Sequence, residues 1–355
     1  MLLNAENESD ALELLHQNGC TDGLPVVIPT VERVAAMVTR VDLDPDLSLG
    51  EMGPKQGSAT VEKVAAAAVM AGCLLEHFPV VIAAVKAICK KEFDLTEVNQ
   101  TTHCLAPLIL VNGPARIDCG PMESGACILG PGNRANASIG RALSLCLINI
   151  AGRISGVTDM AVFSTPGKFT ACFAEAEERS PFEPFHVAQG FSADESVVTV
   201  VGVEAPHSLV MEPTGDVRND AERLIKTIAG VVANPGSNNV YRYGDGCVVV
   251  VLNPEHATLL AKAGFDRVRI CGQIQQRAFV TKAVADALYG GLNFVHPDDD
   301  KKIHAIRNPS QIMLIVAGGM GTYSMVLPSW AYAPSGNIAI SETIDVFPHC
   351  DLPFD

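Results

Sequence analysis

The densest group of potentially reactive side chains lies where a glycine- and asparagine-rich turn runs into one apolar helix, within ESGACILGPGNRANASIGRALSLCLINIAG, residues 123–152. Gly130, Pro131 and Gly132 break the chain, and Asn133 or Asn136 can cap the helix that follows, leaving its first N–H groups and positive dipole end free. Such a helix start is an anion seat, and Arg134 and Arg141 lie close enough in sequence to add guanidinium donors to it. Asn133, Arg134, Asn136, Ser138 and Arg141 are therefore the candidate binders of a carboxylate or phosphate. The competing reading is a capped core helix with a glycine-rich lead-in. Two Asn, two Arg and a Ser within nine residues, ahead of a run as apolar as LSLCLINI, favour the site.

Thiol and imidazole groups form the second set. Cys104 follows His103 and precedes a buried strand, so it is a candidate nucleophile with His103 beside it. Cys271 falls between an expected short strand and a helix start, where the dipole would raise its thiolate fraction. His207 and His256, placed after strands, are candidate bases near neutral pH. Buried structural cysteines and capping histidines are the alternatives. Cys73, His77 and His103 offer ligands that zinc or iron accepts, so a divalent metal is the cofactor this set would take, in a catalytic site with an open position. Gly318 and Gly319, in AGGMG, would let a substrate approach the backbone closely. The match to G-x-G-x-x-G fails, and no clear NAD or ATP motif is present.

The elements that must position these groups follow from periodicity. Helices are expected over 9–17, 30–38, 60–71, 78–90 and the stretch after residue 133. Leu105–Val111 reads as a buried strand. From residue 196 the pattern alternates: strands at 197–203, 246–252, 268–270 and 312–316, helices at 219–232, 256–263 and 274–288. The expectation is an α/β protein, with a helix-rich first domain at 1–191 and a second at 192–355 built on a mostly parallel sheet, whose ligands collect past the carboxyl ends of its strands.

Composition limits the function. The chain has 355 residues, 48% hydrophobic and 18% charged, with a formal charge of −15. That charge repels nucleic acid and anionic membranes, so neither is an expected partner, and an anionic substrate has to be drawn by a local basic site. No apolar run is long enough to span a membrane and the first residues form no secretory signal, so the chain reads as cytoplasmic. Its 11 cysteines contain no C-x-x-C, the pattern of reduced, mostly packed thiols. Its alanine-rich helices make a homo-oligomer the expected state.

Cys20-Thr21-Asp22-Gly23-Leu24-Pro25, the turn at 130–136, Ile315-Val316-Ala317-Gly318-Gly319 and Leu327-Pro328-Ser329-Trp330 together resemble bacterial proteins of the UGSC-type (seleno)protein group. The resemblance implies thiol chemistry and supplies no substrate. Cys-Gly-Ser-Cys, the cysteine counterpart of the group's naming motif, is absent here, so no thiol role carries over to a particular position. These readings converge on an enzyme of lyase or hydrolase type acting on a small anionic substrate. The alternatives are a thiol redox or sulfur-transfer protein, and a non-catalytic subunit of a complex.

Overall fold

Apolar runs without polar alternation, such as LILV at 108–111 and VVVVL at 248–252, suit strands covered on both faces. The computed structural model describes residues 4–241, 244–290, 301–328, 330 and 337–345, and in it both runs are fully buried strands. In chain order the strands are β1 (Ser48–Met52), β2 (Gly57–Thr60), β3 (Ala106–Asn112), β4 (Cys172–Ala174), β5 (Val197–Val203), β6 (His207–Val210), β7 (Val248–Leu252), β8 (Phe279–Thr281), β9 (Lys302–His304), β10 (Ile312–Val316), β11 (Tyr323–Leu327) and β12 (Ile340–Thr343). One four-stranded sheet has the order β12-β5-β3-β4 and the other β10-β7-β11-β6, with ribbons β1-β2 and β8-β9 outside them.

The period-two geometry of a strand divides each run between two cores. In β3, Leu108 and Leu110 join Val201 of β5, Val249 and Val251 of β7 and Ile315 of β10 in a core between the sheets. Ile109 and Val111 point the other way, into a core with the helices Val61–Ala71, Phe78–Ile88 and Arg134–Asn149. Val248, Val250 and Leu252 likewise pack on the helices Val217–Val232, Pro254–Lys262 and Arg267–Arg277. The layer order is helix, sheet, sheet, helix.

The chain is α/β as expected, but its sheets are mixed. Among the described residues, the strand pairs that run parallel are β3–β4 and β7–β10. β5, β11 and β12 run antiparallel to their neighbours. The first sheet takes strands from both sides of residue 192, because β5 pairs with β3 from Val203↔Ala106 to Val197↔Asn112.

Side-chain caps set most helix starts. Thr30, Thr60, Asn133 and Asn253 each accept from the N–H three residues on. The expected strand at 268–270 is instead helix. Asp266 accepts from the Arg269 N–H at 2.7 Å and starts Arg267–Arg277, which buries Ile270, Cys271 and Ile274 while Val268 is 80% exposed. Capping and an amphipathic face thus outweigh the strand preference of two β-branched residues. The expected helix 274–288 is divided, since β8 intervenes and Thr281 caps a second helix, Lys282–Tyr289.

Candidate functional site

The groups expected to form the anion seat all bond to neighbouring chain, Arg134 through Nε alone. Asn133 Oδ1 caps the Asn136 N–H at 2.9 Å, and its Nδ2 donates to the Pro121 carbonyl at 2.8 Å. Asn136 is buried and holds the loop before it: Nδ2 donates to the carbonyls of Glu123 and Ile128, and Oδ1 accepts from the Glu123 N–H. Ser138 Oγ donates to the Arg134 carbonyl. Arg134 Nε donates to the Gly72 carbonyl at 3.0 Å, and Arg141 forms a forked pair with Asp22 at 2.8 and 2.9 Å. Burial works to raise the Asp22 carboxyl, but Arg141 and the Leu24 N–H outweigh it and hold it below its ordinary value. The Asn and Arg of this turn fasten two loops, which is the capped-helix reading.

The thiol and metal sets disperse as well. Cys271 lies inside a helix, not before one, and burial pushes its thiol up to about 11. Cys73 is driven to about 12 by burial. His77 and Cys73 both face Ser138, and the His77 ring takes the Leu74 N–H on Nδ1 at 3.2 Å and closes against Gly120, where a Cβ would sit 2.7 Å from Nε2. Burial lowers the His77 pKa, so the ring is neutral at pH 7. His103 is elsewhere, with Nε2 2.7 Å from Glu204 Oε1. The residues present therefore do not fit the expected three-ligand metal site. Among the described residues no three His, Cys, Asp or Glu side chains are grouped to hold a metal. His207 opens β6 on the surface, and His256 is buried between Ser324 Oγ and the Met211 carbonyl. Gly318 and Gly319 pack on the 123–126 loop, through the Gly318 N–H to the Ser124 carbonyl and a close approach to Ala126.

The structure gathers charge at the opposite end of the 134–149 helix. Gly152, at φ +72°, turns the chain out of that helix, and a Cβ there would meet Lys55 Cδ at 2.3 Å. Arg153 follows, its N–H returning to the Leu147 carbonyl. The next residues fold on themselves: the N–H groups of Val157, Thr158 and Asp159 converge on the Ile154 carbonyl, and Thr158 Oγ1 donates to Gly152 O. This brings Asp159 back beside Arg153. Lys168 arrives from the turn Pro166–Lys168, capped by Thr165, and its Nζ meets both Asp159 oxygens at 2.7 and 2.6 Å.

Arg153 is only 8% exposed. Its Nη2 donates to Ser144 Oγ at 2.7 Å and to the Lys168 carbonyl at 3.4 Å, while Ser144 Oγ in turn donates to that same carbonyl. Among the described residues its Nε and Nη1 have no acceptor, and no carboxylate lies within ion-pairing distance. Burial lowers the guanidinium to about 10, with Asp159 and Asp22 opposing, so it is charged at pH 7. Lys168 is lowered too, first by burial and also by Arg153, with Asp159 and Cys104 opposing. Both cations line a pocket of about 400 Å³ with Asp22, Asp159, Thr165 and the apolar side chains of Ile148, Ile154 and Phe169. Ser164, at φ +65°, belongs to the same wall. Of the sequence candidates, Arg141 reaches the pocket through Asp22, which lines it, and Cys104 and His103 lie outside the lining. Cys104 acts electrostatically on Lys168, and the Val162 N–H binds the Thr102 carbonyl.

Sequence reasoning missed Arg153, Asp159 and Lys168. The available signal was a helix stop at Ala151-Gly152 followed at once by an arginine. A second buried polar group was also missed. Glu175, wholly buried, accepts from Asn112 Nδ2 at 2.6 Å and the Phe185 N–H at 2.7 Å, with Arg267 3.8 Å away, and so links the end of β3 to the second half of the chain. No protein-family model and no curated protein matches the sequence.

Proposed function

We propose that this protein binds a small carboxylate or phosphate in the Arg153 pocket and acts on it as a lyase or hydrolase. One observation carries the reading: a nearly buried guanidinium, two of whose nitrogens have no acceptor among the described residues and are not sealed from solvent, lines a cavity of ligand size. A buried charge without an ion-pair partner is costly, and an anion seated between Arg153 and Lys168 would offset that cost with charge-assisted bonds. Lys168 is the proton carrier in this reading. Burial and the Arg153 charge lower its pKa against the opposing pull of Asp159, which fixes the amine in place. The chain's strong net negative charge favours discharge of an anionic product once the local contact is lost.

Calorimetric titration with inorganic phosphate and with acetate tests the binding. Arg153→Gln and Lys168→Met should each weaken the tighter of the two by about tenfold or more, the scale of one charge-assisted contact. Unchanged affinity in both folded variants refutes the site. A panel of phosphate monoesters and hydroxy acids tests the chemistry, with turnover expected to vanish in Lys168→Met. No turnover on either class removes the enzymatic part and leaves the binding part.

A further inference from the structure

Beside Arg153 and Lys168, and among polar groups that include Asp22 and Asp159, the pocket wall has an apolar part. Ile148, Ile154 and Phe169 line the same pocket, and Ile154 and Phe169 remain 43% and 44% exposed. A bare carboxylate or phosphate uses none of that surface. We infer that the molecule held here is amphipathic, an anionic head joined to an apolar body of aryl or branched-alkyl size. This rests on the anion-binding reading of the pocket and adds the class of substrate to it.

Size supports the inference. A dry cavity of roughly 150 Å³ holds benzene, and a water takes roughly 30 Å³. The volume here, about 400 Å³, exceeds what a carboxylate needs and accommodates a ring-sized group beside it. The chain around the pocket points the same way. Val157, Met160, Val162 and Phe163, on the segment that carries Asp159, are all exposed, Phe163 at 89%. The helix after residue 133, by contrast, buries nearly all of its apolar residues. Exposed apolar side chains concentrated beside a charged cavity are a feature of ligand-binding grooves. With charge and hydrocarbon both in the wall, the site would hold both ends of such a ligand. The head would meet the Arg153 Nε and Nη1 donors, and the body would cover Phe169 and Ile154.

The test compares acetate with phenylacetate, and inorganic phosphate with phenyl phosphate, by calorimetry on the full chain. Phenylacetate should bind at least about tenfold tighter than acetate, the ratio expected from taking one ring-sized body out of water. Phe169→Ala, at an exposed position, should bring that ratio down toward one, with Ile154→Ser as a second variant, and thermal unfolding verifies that each is folded. Arg153→Gln should weaken all four probes. Equal affinities for acetate and phenylacetate, both lost in Arg153→Gln, would overturn the amphipathic substrate and leave the anion site standing. Phenylacetate binding that keeps its advantage in both apolar-wall variants overturns it too. Failure of all four probes to bind removes the anion site, and this inference with it.

Discussion

Replacing Arg153 with methionine separates a ligand-binding role from a structural one, because the two predict different stabilities. The guanidinium sits at about 10 against an ordinary 12.5, so holding its charge in the pocket costs about 3 kcal/mol at ~1.36 kcal/mol per pH unit. Its Nη2 bonds to Ser144 and the Lys168 carbonyl offset that cost by about 1.5–3 kcal/mol, as bonds from charged groups do. The two contributions nearly cancel. Arg153→Met should therefore unfold within about 1.5 kcal/mol of the parent in the absence of ligand, whereas breaking a buried ion pair costs about 3–5 kcal/mol. Urea unfolding followed by the fluorescence of the single tryptophan, Trp330, measures this. The sign in pH also follows. A basic group whose folded pKa is lowered penalises the native state below that pKa, and the penalty fades as pH rises from about 10 to 12.5. The difference between parent and variant is thus flat from neutral pH to about 9. Phenylacetate at a hundred times its dissociation constant should add about 2.7 kcal/mol to the parent and nothing to the variant. A ligand-free loss above 3 kcal/mol, together with an undiminished ligand effect in Arg153→Met, would refute the reasoning: Arg153 would be a structural strut.

Asp22→Asn leaves Arg141 without its forked partner and should cost about 3 kcal/mol at pH 7. Because the folded Asp22 pKa is lowered, that contribution is present above 3.8 and is lost as pH falls through the folded value, so parent and variant should converge in acid unfolding curves. Under native alkylation, site mapping by mass spectrometry should find Cys127, the exposed thiol among the described residues, modified before Cys73, Cys119 and Cys271, whose thiols burial raises to about 12, 12 and 11. Arg134→Ala should leave phosphate affinity unchanged by calorimetry and stability within about 0.5 kcal/mol, since that side chain is exposed and, among the described residues, bonded only to the Gly72 carbonyl.

What could be read from the sequence was what local chemistry decides. Thr30, Thr60 and Asn133 cap the helices expected with them, and the β-branched-rich run at 197–203 and the apolar run at 312–316 are strands to the residue. Where local preference and packing disagreed, at Val268 and Ile270, the cap and the buried face prevailed. Strand direction was not legible, because an apolar run covered on both faces looks the same whether its neighbour is parallel or antiparallel. The site was not legible for a related reason: Arg153, Asp159 and Lys168 meet only through a loop bonded to its own carbonyls, and no residue type announces that path. Residue types place the anion at the start of the 134–149 helix, where free N–H groups and the dipole would assist. The uncommitted cation lies past its other end, where the dipole favours positive charge. Backbone amides of that helix therefore contribute nothing to anion binding there, and the negative end of its dipole opposes it. Affinity has to come from the Arg153 and Lys168 side chains, which is why a change at either one should be felt in full while a change at Arg134 should not be felt at all.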